Sequence, residues 1–513
     1  MTAAAAPVPA RARSYRAILA SSALIGGASA LNVLIGIVRT KLMALVLGPA
    51  GFGLMGAYLV ICDLARAVAQ VGLNSSGVRR IAAAQSSGDD ARIGLTVAVL
   101  RRTSVACGVA GGLGLVLLSG PIASLTFGDE AHAGGVAVLG AAVMLSVVAA
   151  GQGALLQGLR RVRELAWLTL VGGVVGTVVG VPLVWRFGVD GVAPTVVAIA
   201  GAGCAASWWF ARRVRHPAPP RAAGQGAQAR EAWALLRLGA VFMGSGLLTA
   251  AAAWGVRIIV LRHDGLAAAG VYQAAWTLGG VYTGFILQSL GTDFYPRLVG
   301  AMRDPAEGNR LVNEQTQVGL LIALPGVLAT ITLAPLAIQL LYSAGFDAAV
   351  GTLRWICLGM ALRVLSWPLG FIVIAQDRQR LYLAIEAAWS VVNLALTWAC
   401  VQRFGVDGAG MAFCGSYVFH VAVLLPVARH CSGFAWSRDN RRLAAAGVAA
   451  TAAVFAGFQW LPGSMALAFG LAATAAAVVA SARRLLSLAE PQRLPRWVGW
   501  LLRLGHAGFA GRA

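Results

Sequence analysis

Apolar runs of about twenty residues fill most of this chain, and short segments rich in Arg, Gly and Pro separate them. A helix needs roughly 20 mostly apolar residues to cross the ~30 Å hydrocarbon core of a bilayer. Reading the chain at that length predicts fourteen membrane-spanning helices. They lie near Ile18–Leu47, Phe52–Leu73, Ile93–Leu118, Gly135–Leu156, Leu165–Trp185, Val189–Phe210, Leu238–Leu261, Val271–Phe294, Val318–Leu341, Val350–Ala375, Leu381–Val401, Val406–Val427, Leu443–Leu461 and Met465–Ala482.

The composition agrees with a chain that lies mainly in a bilayer. Of the 513 residues, 58% are hydrophobic and 12% are charged, whereas about a quarter of an average soluble domain is charged. So few charges cannot cover a soluble surface of this size, which argues against a cytosolic enzyme, a disordered chain and a secreted disulfide scaffold. The 7 cysteines form no C-x-x-C pair and are expected to be small buried hydrophobes. We therefore expect no metal site and no cofactor.

The formal net charge of +22 first has to be placed relative to the membrane. Most of the 41 basic residues lie in the N-terminal tail, in the connections after the even-numbered spans and in the C-terminal tail, whereas the opposite loops hold only Arg186, Arg262 and Arg403. By the positive-inside rule both termini are cytoplasmic. The charge is thus a topology signal, and we expect no nucleic-acid partner. The first apolar run is too long for a cleaved signal peptide, so we expect a retained helix.

One segment recurs verbatim along the chain. Arg186–Gly191 reads RFGVDG, and Arg403–Gly408 repeats it at an offset of 217 residues. The same offset relates further Gly and Arg positions over almost two hundred residues, which predicts two halves of six helices in parallel orientation. This is a transporter architecture, although a duplicated scaffold stays an alternative. The predicted organisation is an N-terminal lobe over residues 1–210, a cytoplasmic linker over 211–230, a C-terminal lobe over 231–430, and an extra hairpin with a cytoplasmic tail over 431–513.

Cations inside the predicted spans are costly in lipid and should face the protein interior or a wet cavity. Arg39 and Arg257 lie at similar depths in the first spans of the two halves. Because guanidinium and ammonium groups bind phosphate oxygens, the excess of such cations predicts a site for an anionic head group. The candidate binding residues are Arg39, Lys41, Arg257 and Arg363.

Three further ionisable residues inside the spans suggest either structure or energy coupling. Asp63 and Arg66 are three residues apart on one helix face, where they form an ion pair or a coupling site. Glu386 has no basic partner within its own predicted helix, so it either pairs with Arg363 or takes up a proton. His420 is more typical of a packed histidine than of a proton relay.

Four groups of residues, spread over about residues 15 to 428, together resemble a known family. They are Lys41 with Leu47–Leu54, Gly270–Gln273, Tyr295–Leu298, and Gly370–Ala375 running into Arg380–Glu386. In their order and spacing they are similar to bacterial O-antigen translocases and the enterobacterial common antigen flippase. These proteins form part of the polysaccharide branch of the multidrug/oligosaccharidyl-lipid/polysaccharide exporter superfamily.

The resemblance implies an all-α integral membrane protein with two six-helix lobes open in a V. It implies a flippase that moves an undecaprenyl-pyrophosphate-linked oligosaccharide from the cytoplasmic to the periplasmic leaflet of the inner membrane. The implied partners are that lipid-linked oligosaccharide, membrane lipids, and a polymerase and chain-length regulator of the same lipopolysaccharide pathway. The extra hairpin, and a segment at 495–504 with the composition of an interfacial helix, depart from the shortest family members.

Three other functions remain open from the residues alone. A multidrug exporter of the same superfamily needs buried carboxylates for cationic drugs, whereas the first span carries Arg39 and Lys41 and no acid. A glycan polymerase or ligase needs a catalytic outer loop, and the longest predicted one, Ser119–Gly134, is short. No P-loop or nucleophile motif occurs in the sequence, so we expect neither an enzyme nor an ATP-driven pump. A non-catalytic component of a glycan assembly complex is the third alternative.

Overall fold

The computed structural model of the protein describes residues 10–214, 217 and 224–488. This described part contains fifteen α-helices and two 3₁₀ turns, and no strand. The helices are α1 (Ala10–Gln70), α2 (Leu73–Ser86), α3 (Asp90–Leu117), α4 (Ser119–Phe127), α5 (Ala133–Gly158), α6 (Val162–Phe187), α7 (Val192–Arg213), α8 (Gln225–Ala301), α9 (Pro305–Thr332), α10 (Ala334–Leu341), α11 (Ala349–Ala375), α12 (Gln379–Phe404), α13 (Val406–Ser432), α14 (Arg438–Trp460) and α15 (Gly463–Leu488). The 3₁₀ turns are Gly188–Gly191 and Ala344–Phe346.

Within the described residues, eleven stretches are long and apolar enough to cross a membrane. Three of them, Leu31–Gln70, Arg163–Arg213 and Met243–Gln288, are 40, 51 and 46 residues long, about twice the ~20 residues of one crossing. Divided at their backbone breaks, the eleven stretches give the fourteen predicted spans, and the predicted all-α membrane fold is confirmed. The breaks are Gly48, the turn Gly188–Gly191 and Gly265.

The first two predicted spans are joined without a loop. Gly48 adopts φ 62° and ψ −175° inside α1, a conformation that side-chain-bearing residues rarely take, and Pro49 follows it. A residue before proline is disfavoured in the α region, whereas proline is favoured at the first position of a helix. The Gly48–Pro49 pair therefore ends one helix and begins the next within a single residue.

Three element boundaries differ from those that the hydropathy pattern predicts. The helix α4 occupies the first part of Ser119–Gly134, which was predicted as a loop, because nine residues are too few to be recognised by a length of twenty. The predicted linker 211–230 is shortened at both ends, since α7 continues to Arg213 and α8 begins at Gln225. Arg212 and Arg213 lie in the last turn of α7, where positive charge favours the helix. The segment 495–504 lies outside the described residues.

The repeat is present in the backbone as well as in the sequence. Within the described residues, pairs with positive φ stand 217 residues apart: Gly48 and Gly265 at 62° and 81°, Arg160 and Asp377 at 53° and 59°, Gly188 and Gly405 at 58° and 57°. The helices α6 and α12 also begin and end at equivalent positions. Such agreement at a constant offset shows that the two halves fold alike, turn for turn.

The chain divides into two compact units. The first comprises Met1–Ala274, Ile338–Ala349 and Glu386–Ala409, and the second comprises Ala275–Ala337, Val350–Ile385 and Gly410–Ala513. Leu73, Ile81, Leu100, Leu155 and Leu235 lie in the core of the first unit. The core of the second unit includes Phe294, Leu369, Val373, Leu424 and Phe434. The lobe boundaries at 210, 230 and 430 stay a prediction.

The predicted extra hairpin consists of α14 and α15, which belong to the second unit. Asn440 Nδ2 donates to the Asn313 main-chain oxygen at 2.7 Å, which joins the start of α14 to α9. A Cβ atom on Gly470 of α15 would meet Thr332 Oγ1 of α9 at 2.6 Å. The hairpin is thus packed against α9 at small residues.

Candidate functional site

Arg257 lies eight residues before the break at Gly265 in α8, and Gln273 lies eight residues after it. Gln273 Oε1 accepts hydrogen bonds from Arg257 Nε at 3.1 Å and from Nη2 at 2.7 Å. In an unbroken helix these residues would be about 24 Å apart at a rise of 1.5 Å per residue. The break at Gly265 therefore brings the amide onto the guanidinium group.

The remaining contacts of Arg257 leave most of its charge uncompensated. Arg257 Nη1 donates to the Ala253 carbonyl at 3.3 Å, and the guanidinium carbon lies 5.8 Å from the centre of the Tyr272 ring. Its hydrogen-bond partners are neutral, and Asp63 acts on it only through the electrostatic field. A cation inside a membrane-spanning segment is costly unless it has partners. This position can thus accept an anion.

Asp63 and Arg66 form the ion pair that their spacing predicts. Asp63 Oδ1 accepts from Arg66 Nη2 at 2.9 Å in the second half of α1. Their side chains are 60% and 45% exposed, so they face open space rather than the protein core. An exposed pair contributes little to stability. Its place beside Arg257 in the first unit makes it a part of the candidate site.

Two equivalent glycines allow the start of the second half of α1 to approach α8 closely. A Cβ atom on Gly53 would lie 2.0 Å from the Leu266 oxygen, and a Cβ atom on Gly270 would lie 1.9 Å from the Pro49 oxygen. Gly53 and Gly270 are 217 residues apart, as are Pro49 and Leu266. The contact is therefore symmetric within the repeat, and only glycine fits on either side.

The other end of α1 makes a second contact of the same kind. A Cβ atom on Gly72 would lie 2.1 Å from the Gly239 oxygen, and one on Gly239 would lie 2.1 Å from the Val71 oxygen. Gly56, between the two contacts, leaves room for Gln273. The second half of α1 is thus held against α8 at both ends, with Asp63 between them.

The other two predicted cations of the first unit have different surroundings. Arg39 is half-buried in α1, nine residues before Gly48, a depth close to that of Arg257. Lys41 Nζ donates to the main-chain oxygen of Leu340 at 2.5 Å, in the last turn of α10. A cation at a helix C-terminus satisfies a carbonyl that has no partner within the helix. Lys41 therefore anchors α10 in this conformation.

Arg363 and Glu386 lie in different units. Arg363 is half-buried in α11, and its Nη1 lies 4.0 Å from Met360 Sδ in the second unit. Glu386 is half-buried in α12 in the part that belongs to the first unit, where its main-chain oxygen accepts from Ser390 Oγ at 2.8 Å. The cross-helix pairing of Arg363 with Glu386 stays a prediction.

A polar cluster that the sequence did not indicate joins three helices of the first unit. Glu231 of α8 is 8% exposed and accepts from Arg80 Nε of α2 and from Thr96 Oγ1 of α3, both at 2.8 Å. Burial raises the pKa of Glu231, but the hydrogen bonds from Arg80 and Thr96 and the charges of Arg80 and Arg92 outweigh it, so the pKa is lowered overall. The carboxylate is thus ionised, and it holds the basic-rich ends of these helices together.

An apolar cavity of about 510 Å³ lies in the first unit between α1, α3 and the first half of α8. Ile61, Leu64 and Val68 line it from the face of α1 opposite to Asp63, and Trp254 closes one side. Trp254 Nε1 donates to Thr126 Oγ1 at 3.3 Å, which fixes the indole ring. Such a cavity suits hydrocarbon rather than a charged group.

Sequence reasoning found Arg257 but missed the partners that define its site. Gln273 and Tyr272 appeared only as part of a family-like segment, and their distance in sequence from Arg257 gave no sign of contact. The depth of Gln273 after Gly265, equal to that of Arg257 before it, is the signal that could have found the pair. Within the described residues, no group of three His, Cys, Asp or Glu side chains could hold a metal ion.

Eleven apolar stretches, a tandem helical repeat and charged side chains within the spans define a multi-pass membrane protein of the exporter class. The sequence model of the polysaccharide biosynthesis protein family matches residues 42–351, and the chain belongs to this family. The search of curated proteins found no match to the sequence.

Similar solved structures are transporters of one superfamily. The inward closed conformation of the lipid II flippase MurJ matches with a TM-score of 0.68 at 12% identity, over 90% of this chain and 99% of that chain. An inward-facing multidrug resistance MATE family transporter of the MOP superfamily matches with a TM-score of 0.66 at 16% identity, over 78% and 94%. A MOP superfamily transporter from Pyrococcus furiosus gives 0.56 at 17% identity, over 80% and 93%. At these identities the likeness establishes the fold.

Proposed function

We propose that this protein is a flippase for an undecaprenyl-pyrophosphate-linked oligosaccharide, such as an O-antigen unit or a related surface polysaccharide. It moves its cargo from the cytoplasmic to the periplasmic leaflet of the inner membrane, with both termini in the cytoplasm as the distribution of basic residues indicates. The observation that carries the proposal is Arg257, a cation in a membrane-spanning segment whose hydrogen-bond partners are neutral.

The chemistry of the cargo fits this site. A pyrophosphate presents several anionic oxygens in the geometry that the planar guanidinium group recognises with two parallel hydrogen bonds. The amide oxygen of Gln273 occupies Nε and Nη2 of Arg257, so a stronger acceptor would take its place. The family is one of polysaccharide biosynthesis, and one similar structure is a lipid II flippase. Both support a lipid-linked glycan as the cargo.

The remaining predicted residues take supporting roles in the proposal. Arg39, at a depth close to that of Arg257, adds positive potential along the path of the head group. Lys41 contributes in a conformation in which it leaves the Leu340 carbonyl, and Arg363 contributes from the second unit. The glycine contacts at the two ends of α1 open in turn as the site is exposed to one leaflet and then to the other. The apolar cavity beside α1 holds a segment of the polyprenyl chain.

A multidrug exporter is the second candidate. The exposed carboxylate of Asp63 and the similarity to a multidrug resistance transporter favour it. A cationic drug would have to displace Arg66 from Asp63 and approach Arg257, and both steps oppose binding. Efflux of cationic dyes from cells expressing the protein would support the exporter, whereas the flippase predicts none.

Complementation of a flippase-deletion strain tests the proposal. The single variants Arg257→Ala and Arg39→Ala and the double variant are expected to lose display of surface glycan while the protein still inserts. Arg257→Lys should retain part of the activity, because it keeps the charge but loses the paired N–H groups. The matched control is Arg262→Ala in the same helix. Normal display by a normally expressed double variant would contradict the proposed site.

A purified protein distinguishes the flippase from a passive component of a glycan assembly complex. Proteoliposomes that contain this chain alone should translocate a fluorescent polyprenyl-pyrophosphate glycan, as measured by protection from an external quencher. Arg257→Ala should reduce the rate to that of empty liposomes. Absence of translocation by a folded, monodisperse protein would favour the passive role.

A further inference from the structure

A second cavity of the first unit is polar and lies away from Arg257. It has a volume of about 230 Å³, well above the ~30 Å³ of one water molecule. It lies among α3, α5 and α7, at the end of the unit where α7 stops. The side chains that line it include Arg101, Ser104, Gln152, Trp208 and Arg212.

The charge of this cavity is positive. Of the described residues that line it, Arg101 and Arg212 are charged and none is acidic. The guanidinium carbon of Arg212 lies 4.6 Å from the centre of the Trp208 ring, which restricts its orientation. Two guanidinium groups around one small volume bring their like charges together at a cost, unless an anion lies between them.

A buried hydroxyl group in the wall points to a ligand independently of the charges. Ser104 is 2% exposed, and its Oγ has no hydrogen-bond partner among the described residues. A buried polar group without a partner costs about 1–3 kcal/mol, so native structures usually satisfy it. Gly151 keeps this space free, because a Cβ atom there would lie 2.2 Å from Ser104 Oγ. Ser104 can therefore donate to an acceptor in the cavity.

Gln152 supplies a further donor. Its Oε1 accepts from Ser207 Oγ at 2.6 Å, which orients the side-chain amide and leaves its NH₂ group for another partner. The cavity thus combines two guanidinium groups, a hydroxyl and an amide, all of which can donate to one acceptor-rich anion. A phosphate group has this character, since it accepts through several oxygens and donates few hydrogen bonds.

The position of the cavity specifies a lipid as the source of that phosphate. Trp208 and Trp209 of α7 are 53% and 47% exposed, and each carries an arginine stacked on its ring. Exposed tryptophans beside arginines are typical of the interface between the hydrocarbon core and the lipid head groups. We infer that the cavity formed by Arg101, Ser104, Gln152, Trp208 and Arg212 binds the phosphate of an anionic phospholipid from the leaflet that faces the basic loops. This site does not depend on the proposed cargo.

Native mass spectrometry of the full chain in detergent tests the site. The protein is titrated with phosphatidylglycerol and, separately, with phosphatidylcholine. Arg101→Gln/Arg212→Gln should weaken retention of phosphatidylglycerol at least about tenfold, which corresponds to ~1.4 kcal/mol. The control is Arg102→Gln/Arg213→Gln, which removes the same charge one position further along the same two helices and should change retention less than about twofold. Equal losses in both double variants would overturn the site, because they would indicate diffuse attraction.

Two further arms separate the site from folding effects and from free phosphate. Ser104→Ala removes no hydrogen bond within the protein, so it should leave the unfolding temperature unchanged while weakening phosphatidylglycerol retention severalfold. Unchanged retention in this variant would overturn the assignment of the cavity. Inorganic phosphate at millimolar concentration should not displace the lipid, because it lacks the acyl chains. Displacement by inorganic phosphate would show that the cavity takes a free anion and would overturn the lipid.

Discussion

Gln273 and any bound anion compete for the same N–H groups of Arg257. A hydrogen bond to a charged group contributes about 1.5–3 kcal/mol, part of which the cargo must offset when it displaces the amide. We therefore predict that Gln273→Ala binds polyprenyl pyrophosphate severalfold more tightly and flips it more slowly, because release becomes harder. Fluorescence titration and a flipping assay measure the two effects, with Gln317→Ala as the control. Weaker binding would instead mean that Gln273 holds Arg257 in place for the cargo.

Glu231 makes the stability of the first unit dependent on pH. The pKa of this carboxyl is lowered in the folded protein, whereas an unfolded glutamate titrates near ~4.3. The unfolded chain therefore binds more protons in the acid range, and the stabilisation by Glu231 is present above that value and is lost as the pH falls through the folded pKa. Glu231→Gln should lower the stability by about 1–3 kcal/mol at pH ~7 and by much less at pH ~3.

Thermal unfolding of the purified protein at the two pH values measures this effect. Glu130→Gln, at an exposed position, is the control and should have the same unfolding temperature as the wild type. A loss of stability in Glu231→Gln that is as large at pH ~3 as at pH ~7 would show that the effect comes from packing and not from the charge.

Single residues were predictable from the sequence where their cost is local. A cation within an apolar run is costly whatever it contacts, so Arg257 and Arg39 could be selected from the sequence alone. The pairing of Arg80 with Glu231 could not, because 151 residues separate them and no periodicity relates them. The contact of Lys41 with Leu340 was missed for the same reason, since a main-chain acceptor leaves no trace in the sequence.

At the scale of helices, the glycine contact at Gly53 and Gly270 fixes how closely α1 and α8 approach. A methyl group on either residue would lie about 2 Å from a main-chain oxygen, which only a shift of one helix relieves. We predict that Gly53→Ala and Gly270→Ala each reduce flipping at least about tenfold. The double variant should be little worse than either single one, because both remove one contact.

Flipping by the purified variants measures this effect, and Gly36→Ala is the matched control. Gly36 also lies in α1, but a Cβ atom there would meet nothing within 4 Å. Alanine favours a helix by ~0.5–1 kcal/mol relative to glycine, so this variant should be active and slightly more stable. Full activity of Gly53→Ala would mean that the close approach has no role in the transport cycle.

Helices were predictable to the extent that hydropathy alone determines them. A span of about twenty apolar residues is a local property, and all fourteen predicted spans correspond to described helices. The short helix α4 was missed because its nine residues do not cross a membrane. The breaks at Gly48 and Gly265 were predicted as loops, although a single glycine conformation suffices to change the direction of the chain.

At the scale of the whole molecule, the repeat made the fold predictable without any structure. A constant offset of 217 residues in the sequence becomes a constant offset in backbone conformation, and the equivalent positions adopt φ values within about 20° of each other. The charged residues do not follow the repeat, since Asp63 corresponds to Gly280 and Glu386 corresponds to Thr169. A symmetric backbone thus carries an asymmetric set of charges, as a transport cycle with a direction requires.

Direction also requires a supply of free energy, and the carboxylate of Glu386 is our candidate for a protonation switch. It is half-buried in α12, where loss of its charge would change the cost of facing hydrocarbon. We predict that a gradient of one pH unit across proteoliposomes, worth about 1.4 kcal/mol, changes the wild-type flipping rate up to about tenfold. Glu386→Gln should keep the basal rate and lose this response, whereas the control Glu314→Gln should keep both. The membrane potential is clamped, so that a response to charge movement is not mistaken for one to protons. A wild type that ignores the gradient, or a Glu386→Gln variant that follows it fully, would exclude Glu386 as the switch.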